Sequence, residues 1–147
     1  MSGPHIMIVE ARFYADIADE LFKGALGALE DAGATHERFE VPGAFELPAA
    51  VAFAHKADPN RFDGYVALGC VIRGETSHYD YVCAESARGL QDLALRDSLA
   101  IGYGALTVEN HGQAWARASV DHKNKGRDVA NACLAMIGLR DSLQAGK

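Results

Sequence analysis

Short apolar runs and longer amphipathic segments alternate along this chain. Ile6–Glu10 is a brief run with strand character, and Gly64–Ile72 is continuously apolar, which is typical of a strand buried on both faces. Thr35–Val41 is half polar, so we expect it at the edge of a sheet. Ser98–Gly104 is a fourth short run with strand character. Together these patterns predict four strands.

Segments with helical spacing separate and follow the predicted strands. From Asp16 to Ala32 apolar residues recur every three or four positions, and Gly33 follows as a stop signal. Asn110, with Gln113 three residues later, is an N-cap pattern that opens a short helix. The predicted helices are Asp16–Ala32, Leu47–Lys56, Tyr79–Arg96, Asn110–Ala116 and Asn124–Leu143. In the last of these we expect one side to carry Val129, Cys133, Met136, Ile137 and Leu143.

The order of these elements predicts the fold class. Strands that alternate with helices form a parallel sheet covered by helices on both faces, so we expect an α/β protein with a four-stranded parallel sheet. In such sheets ligands bind beyond the carboxyl ends of the strands. Three loops with unusual residues follow predicted strands there: Ala11–Tyr14, Pro42–Glu46 and Arg73–His78.

Length, charge and cysteine content narrow the class of protein. A chain of 147 residues is long enough to bury a sizeable core, and we expect residues 1–147 to form a single domain. The net charge of −6 argues against a nucleic-acid partner, and Ile6–Val9 is too short for a membrane span. Cys70, Cys83 and Cys133 fit no zinc pattern, so we expect no metal and interpret them as buried free thiols of a cytoplasmic protein.

The loop before the third helix has the composition of an anion site. Gly74, Glu75, Thr76 and Ser77 precede the helix, whose first backbone N–H groups favour a phosphate. The same residues are equally typical of an N-cap with a flexible turn, and their spacing leaves both interpretations open. His78 follows in the first turn, where a neutral imidazole could act as a general base, although a surface histidine is the commoner finding.

Other residues near the predicted strand ends also have two interpretations. Phe13 could stack on a flat ring or simply cover the edge of the core. Glu46 could accept hydrogen bonds from sugar-like hydroxyls or complement a helix dipole. Arg117 could bind phosphate through two hydrogen bonds, and Lys125 adds positive charge, but either could be a solvated surface cation. Trp115 has helical spacing and is expected to pack against the core.

Taken together, these segments resemble the 6,7-dimethyl-8-ribityllumazine synthase family. The resemblance covers nearly the whole chain in order, and any one segment alone is weak. The matching segments are residues 11–13 (ARF), 41–46 (VPGAFE), 68–82 (LGCVIRGETSHYDYV), 107–110 (TVEN), 113–118 (QAWARA) and 124–126 (NKG).

The resemblance implies a fold, a reaction and an assembly. The fold is a flavodoxin-like three-layer sandwich, and the chains assemble into homopentamers with active sites at subunit interfaces. The small-molecule substrates are 5-amino-6-(D-ribitylamino)uracil and 3,4-dihydroxy-2-butanone 4-phosphate. They form a Schiff base, phosphate is eliminated, and the ring closes with loss of water. No metal or redox cofactor is implied.

The resemblance also assigns roles by position in this sequence. Phe13 would stack on the pyrimidine, and His78 would transfer protons. The residues implied to bind the ribityl chain are Ala44, Phe45 and Glu46; to meet the ring edge through backbone groups, Val71 and Ile72; and to hold phosphate, Gly74, Glu75 and Thr76. The residues implied to come from the adjacent subunit are Tyr103, Arg117 and Lys125, with Arg117 on the phosphate.

Some positions depart from the family pattern. Tyr14 stands where a small polar residue is frequent and Tyr103 where phenylalanine is frequent, so both could reshape the ring pocket. Residues 119–123 (SVDHK) stand where members that form 60-subunit shells usually have a glycine-containing turn, and few residues precede the first strand. We therefore expect a free pentamer.

Two other functions use the same kind of fold. A non-catalytic module could bind riboflavin or a lumazine, but a binder of an unphosphorylated ligand needs neither His78 nor Arg117. A flavodoxin-type electron carrier expects a Ser/Thr-rich phosphate loop after the first strand, and residues 11–14 (ARFY) are not one.

Overall fold

The computed structural model describes residues 3–146, which contain four strands and five α-helices. Strands and helices alternate as far as the fourth helix, and the fifth helix follows it directly. The strands are β1 (His5–Ala11), β2 (Thr35–Val41), β3 (Gly64–Ile72) and β4 (Ile101–Val108). The helices are α1 (Ala15–Asp31), α2 (Leu47–Ala57), α3 (His78–Asp97), α4 (His111–Ala118) and α5 (Lys125–Ala145). A short 3₁₀ turn, Ala44–Glu46, precedes α2.

All four strands are parallel and lie in the order β2-β1-β3-β4. The two central strands are the apolar ones, and the half-polar β2 is at an edge, as its composition predicted. Because the strands are parallel, all their carboxyl ends lie at the same end of the sheet. The loops that follow β1, β2 and β3 therefore meet there.

Helices cover both faces of the sheet and bury its alternating side chains. On one face α1, α4 and α5 pack against Ile8 and Val66, and on the other α2 and α3 pack against Val9 and Ala67. Neighbouring residues of one strand thus belong to opposite cores, because side chains alternate across a strand. This arrangement confirms the predicted three-layer α/β sandwich.

Helices α1 and α5 approach each other closely because glycines remove side chains at their contact. A Cβ atom at Gly126 would lie 2.0 Å from the carbonyl oxygen of Leu21, and one at Gly24 would lie 2.1 Å from Oδ1 of Asn124. The backbone contact at Gly126 leaves no room for a larger residue, whereas at Gly24 the Asn124 side chain would have to move. The end of α1 also needs glycine, since Gly33 has a φ of +69°.

The fourth strand begins and ends later than the sequence pattern predicted. It runs from Ile101 to Val108 instead of Ser98–Gly104. Ser98 has a left-handed conformation (φ 56°) that terminates α3, so it cannot start a strand. Gly102 and Gly104 both lie inside the strand, where α5 and β3 approach it closely. A Cβ at Gly102 would lie 2.3 Å from the carbonyl oxygen of Val129.

The expected apolar side of α5 is only partly buried. Val129, Cys133 and Ile137 face the sheet, whereas Met136 and Leu143 are 49% and 67% exposed. The buried residues follow an i, i+4, i+8 spacing, and the other two lie beside this line. Met136 and Leu143 therefore do not contribute to the buried core, although they share this side of the helix.

The cysteines are free thiols with different degrees of burial. Only Cys133 is fully buried, and Cys70 and Cys83 are half-buried. Burial raises the pKa of Cys133 to about 12. Trp115 packs against the core, as its spacing predicted. None of the helices in residues 3–146 is long and apolar enough to cross a bilayer.

Candidate active site

A cleft of about 470 Å³ opens beyond the carboxyl ends of the strands. The loop after β1, the 3₁₀ turn after β2, the end of β3 and the start of α3 surround it. The predicted site residues that line this cleft are Phe13, Ala44, Phe45, Glu46, Val71, Ile72 and His78. These residues come from widely separated segments, and the parallel topology brings them together.

Two aromatic side chains stand free at the cleft. Phe13 is 78% exposed, and its ring meets the Tyr14 ring edge-on at 4.9 Å between centroids. Phe45 is 54% exposed. Exposed rings of this size lose contact with water when a flat ligand covers them, which makes stacking favourable.

The end of β3 offers backbone groups to the cleft. The register of β3 with β1 ends at Leu68, whereas its register with β4 continues to Ile72. Residues 69–72 therefore run past β1 on one side. Val71 and Ile72 are half-buried there, and their backbone groups on the β1 side can bind the polar edge of a planar ligand.

His78 is the first residue of α3 and is exposed at the cleft. Its backbone N–H donates to the Thr76 hydroxyl at 3.3 Å, so this hydroxyl caps one free amide of the helix start. Gly74, Glu75 and Thr76 are exposed in the loop that leads to His78 but do not border the cleft directly. A Cβ at Gly74 would meet nothing within 4 Å, so its glycine is not required sterically by the chain itself.

The loop before α3 is anchored by Arg73, a residue that the sequence analysis assigned no role. Its Nε donates to both carboxylate oxygens of Glu109 at 3.0 and 3.1 Å, and its guanidinium carbon lies 4.3 Å from the Tyr79 ring centroid. The hydrogen bond to Glu109 raises the pKa of Arg73. The cation is therefore held against the end of β4 and fixes where the loop leaves the sheet.

Two further cleft residues were missed by the sequence analysis. Cys70 directly precedes Val71, and Val82 lies one helical turn after His78, on the same side of α3. The i, i+4 spacing from His78 was the signal that could have found Val82. Burial raises the pKa of Cys70 to about 11, so its thiol stays protonated at neutral pH and is no nucleophile.

The remaining predicted residues do not border the cleft of their own chain. The hydroxyl of Tyr103 on β4 is 3.2 Å from Oγ of Ser86, and burial raises its pKa. Arg117 on α4 donates from Nη1 to the Gln113 carbonyl at 3.0 Å, and Lys125 starts α5 with Nζ 3.8 Å from Asp128. Among residues 3–146, no cluster of three or more His, Cys, Asp or Glu side chains is arranged to hold a metal ion.

Fold and cleft define an α/β protein of flavodoxin-like architecture with a cleft of small-molecule size at the carboxyl ends of its strands. The comparison with known protein families assigns it more narrowly. The family model described as 6,7-dimethyl-8-ribityllumazine synthase matches residues 3–141. The chain belongs to this family.

Relatives named 6,7-dimethyl-8-ribityllumazine synthase match over almost their full length. The Bartonella bacilliformis protein is 56% identical over 138 residues, covering 94% of this chain and 91% of the relative. The Agrobacterium fabrum protein is 56% identical over 146 residues, covering 97% and 99%. The Sphingopyxis alaskensis protein is 54% identical over 142 residues, again covering 97% and 99%.

Proposed function

We propose that this protein catalyses the reaction for which its family is named. It condenses 5-amino-6-(D-ribitylamino)uracil with 3,4-dihydroxy-2-butanone 4-phosphate to give 6,7-dimethyl-8-ribityllumazine, phosphate and water, a step of riboflavin biosynthesis. The observation that carries the proposal is one cleft that brings together the residues implied to bind the pyrimidine and ribityl groups, with His78 at its border, in a chain of this family.

The proposed reaction depends mostly on positioning. The amine attacks the ketone and water leaves, which forms a Schiff base; phosphate then departs, and the second amine closes the ring with loss of water. Phe13 stacks on the pyrimidine, while Ala44, Phe45 and Glu46 hold the ribityl chain. Fixing amine and ketone together removes an entropic barrier of up to roughly 7–11 kcal/mol in favourable cases.

His78 transfers protons in this proposal, and Gly74, Glu75 and Thr76 hold the phosphate. His78 is exposed at the cleft, and its imidazole is free of recorded side-chain partners among residues 3–146, so the ring can reach a bound substrate. The start of α3 directs backbone N–H groups toward an anion, which stabilises the growing charge of the departing phosphate.

We propose that Tyr103, Arg117 and Lys125 complete the site from a neighbouring copy. All three lie away from the cleft of their own chain, which is what a site shared across an interface requires. A cyclic homopentamer gives every chain one such neighbour on each side. Arg117 then supplies a guanidinium for the phosphate.

We propose a free pentamer and not a larger shell. The turn at 119–124 between α4 and α5 is closed by its own backbone hydrogen bonds, including Asn124 N–H to Ser119 O at 3.0 Å. It lacks the glycine that is usual there in shell-forming members. Light scattering should give five times 15.7 kDa, about 79 kDa. A mass near sixty chains would contradict this assembly.

We further propose that residues 1–147 act as one domain in the cytoplasm. The three cysteines are unpaired thiols in the described part of the chain, and reducing conditions keep thiols in that state.

The function is tested by mixing the purified protein with both substrates. We expect green lumazine fluorescence to appear and inorganic phosphate to be released, with one phosphate formed for each lumazine. A protein that only binds flavins or lumazines would release no phosphate, and that outcome would overturn the proposed reaction.

A further inference from the structure

A buried carboxylate lies just before the loop that carries Phe13. Glu10, the second-last residue of β1, is only 3% exposed. Its Oε1 accepts from Arg12 Nη1 at 2.8 Å, and its Oε2 accepts from Arg38 Nε at 2.6 Å. Arg38 Nη2 also donates to Oε1 at 3.1 Å, so both oxygens are used. Asp19 binds the other side of Arg12, and we call these four residues the Glu10 cluster.

The Glu10 cluster ties down the loop at both ends. Arg12 is bound to Glu10 on the strand that the loop leaves and to Asp19 on the helix that it enters. Arg38 reaches the same carboxylate from the neighbouring strand β2. Three elements thus fix the backbone immediately before Phe13.

Phe13 itself has little that holds it. The ring is 78% exposed, and its recorded aromatic contact is with the adjacent Tyr14. The position of the ring therefore depends on the backbone that Arg12 anchors. An error of about 1 Å in a positioning group can lower a rate by about 10²-fold.

Stability alone is a poor reason for burying Glu10. The residues of β1 on the same face are Ile6 and Ile8, and an apolar residue at position 10 would continue that core. Replacing buried ion pairs by apolar residues is often neutral or stabilising, whereas such pairs can specify one geometry. Arg38 is also fixed from its other side, with its guanidinium carbon 3.5 Å from the centroid of the Phe22 ring.

We propose that Glu10 is a positioning residue, which acts through Arg12 and Arg38 to fix the loop that presents Phe13 to the pyrimidine substrate. The inference rests on the proposed function and on the stacking role of Phe13. It assigns the Glu10 cluster to recognition of the planar substrate and not of the phosphorylated ketone.

The test is Glu10→Gln, which keeps the shape of the side chain and removes its charge. We expect the KM for the pyrimidine to rise about fivefold to tenfold, while the KM for the ketone phosphate changes by less than about twofold. The matched control is Glu40→Gln, since Glu40 lies opposite Glu10 in the register, is exposed and forms no recorded ion pair among residues 3–146. It should leave both KM values unchanged.

A double-mutant cycle separates positioning from a general loss of structure. If Glu10 acts through Phe13, Glu10→Gln should not raise the pyrimidine KM further in a Phe13→Ala background. An equal rise in both backgrounds, or a lowered melting temperature with wild-type KM values, would overturn the inference. Should Glu10→Gln fail to fold, Asp19→Asn is the second test, because Asp19 is exposed and its substitution frees Arg12 on one side only. A wild-type pyrimidine KM in Asp19→Asn would then contradict the positioning role of the Glu10 cluster.

If the proposed function is wrong, the result is different, because the wild-type protein itself then forms no lumazine. In that case calorimetric binding of the pyrimidine to wild type and Glu10→Gln still tests the cluster. Equal affinity, or binding to neither protein, would overturn the positioning role.

Discussion

The side chains around the cleft differ in how firmly the chain holds them. Phe13 and Phe45 are exposed, and His78 has an imidazole with no recorded partner in the described residues, whereas Glu10 and Arg73 are held by several hydrogen bonds. Residues that would touch substrate are thus free, and those that fix the loops are paired. This division suits a site in which the bound substrates complete the packing.

We expect His78→Ala to lower kcat by up to about 10²–10⁴-fold, the usual contribution of a general base, without abolishing turnover. The remaining rate comes from positioning of the two substrates. Steady-state kinetics with both substrates measures the effect.

The control is His55→Ala, because His55 lies near the far end of α2, at the opposite end of the sheet. It should keep the wild-type kcat. An unchanged kcat in His78→Ala would remove His78 from the proposed chemistry.

At the scale of elements, the close contact between α1 and α5 limits which residues can replace the glycines of α5. Gly126 lies against the backbone of α1, whereas a Cβ at Gly138, on the same helix, would meet nothing within 4 Å. Packing therefore requires glycine at position 126 but not at position 138, although both lie inside the same helix. Their substitutions form a matched pair.

We expect Gly126→Ala to lower the free energy of unfolding by about 1–3 kcal/mol or more, because the new methyl group collides with the Leu21 carbonyl. Gly138→Ala should raise it by up to about 1 kcal/mol, since alanine favours the helix and has room. Urea unfolding at one fixed protein concentration measures both. Equal effects of the same sign would contradict the packing described for α5.

A second feature at this scale is Glu37, which joins three elements. On β2 it accepts from Arg61, in the connection between α2 and β3, and from Nε2 of His5 on β1 at 2.7 Å. The Arg61 hydrogen bond, followed by that of His5, holds the pKa of Glu37 below its ordinary value of 4.5. The folded state therefore favours the ionised carboxylate.

The sign of the pH effect follows from linkage. The stabilisation by Glu37 is present above pH 4.5 and is lost as the pH falls through the lowered pKa. We expect the difference in melting temperature between wild type and Glu37→Gln to shrink below pH 4.5. Glu40→Gln, which removes a carboxylate of the same strand that forms no ion pair within residues 3–146, is the matched control. A constant difference for Glu37→Gln would contradict the effect.

At the scale of the whole molecule, the proposed site is incomplete in a single chain. His78 borders the cleft, whereas Arg117 lies on α4 and binds its own helix. If two copies share one site, each residue can be lost from a different copy. That separation gives a direct test by mixing variants.

We expect co-expressed His78→Ala and Arg117→Ala chains to recover about a quarter of wild-type activity, because half of the copies supply each intact residue and neighbours combine at random in a ring. Tandem affinity tags isolate the mixed assemblies, and the lumazine assay measures recovery. As a control, His78→Ala mixed with the double variant should recover nothing. Activity equal to that of the parent variants would contradict a shared site.

The sequence by itself determined the class of fold and most of the cleft. Strand and helix periods are local, so Gly64–Ile72 and the position of His78 at a helix start could be predicted from residues close in the chain. The meeting of the loops beyond the carboxyl ends of the strands could be predicted from parallel topology alone. The family resemblance then gave those residues their expected roles.

Only the tertiary structure decided what depends on contacts between distant segments. The limits of β4 depend on the approach of α5 to Gly102, and Met136 is exposed because it lies beside the line of α5 residues that faces the sheet. The partners of Glu10 and Arg73 lie on other elements, so no local pattern marks them. Burial and ion pairing are properties of packing in space, whereas periodicity along the chain records only which side of an element a residue faces.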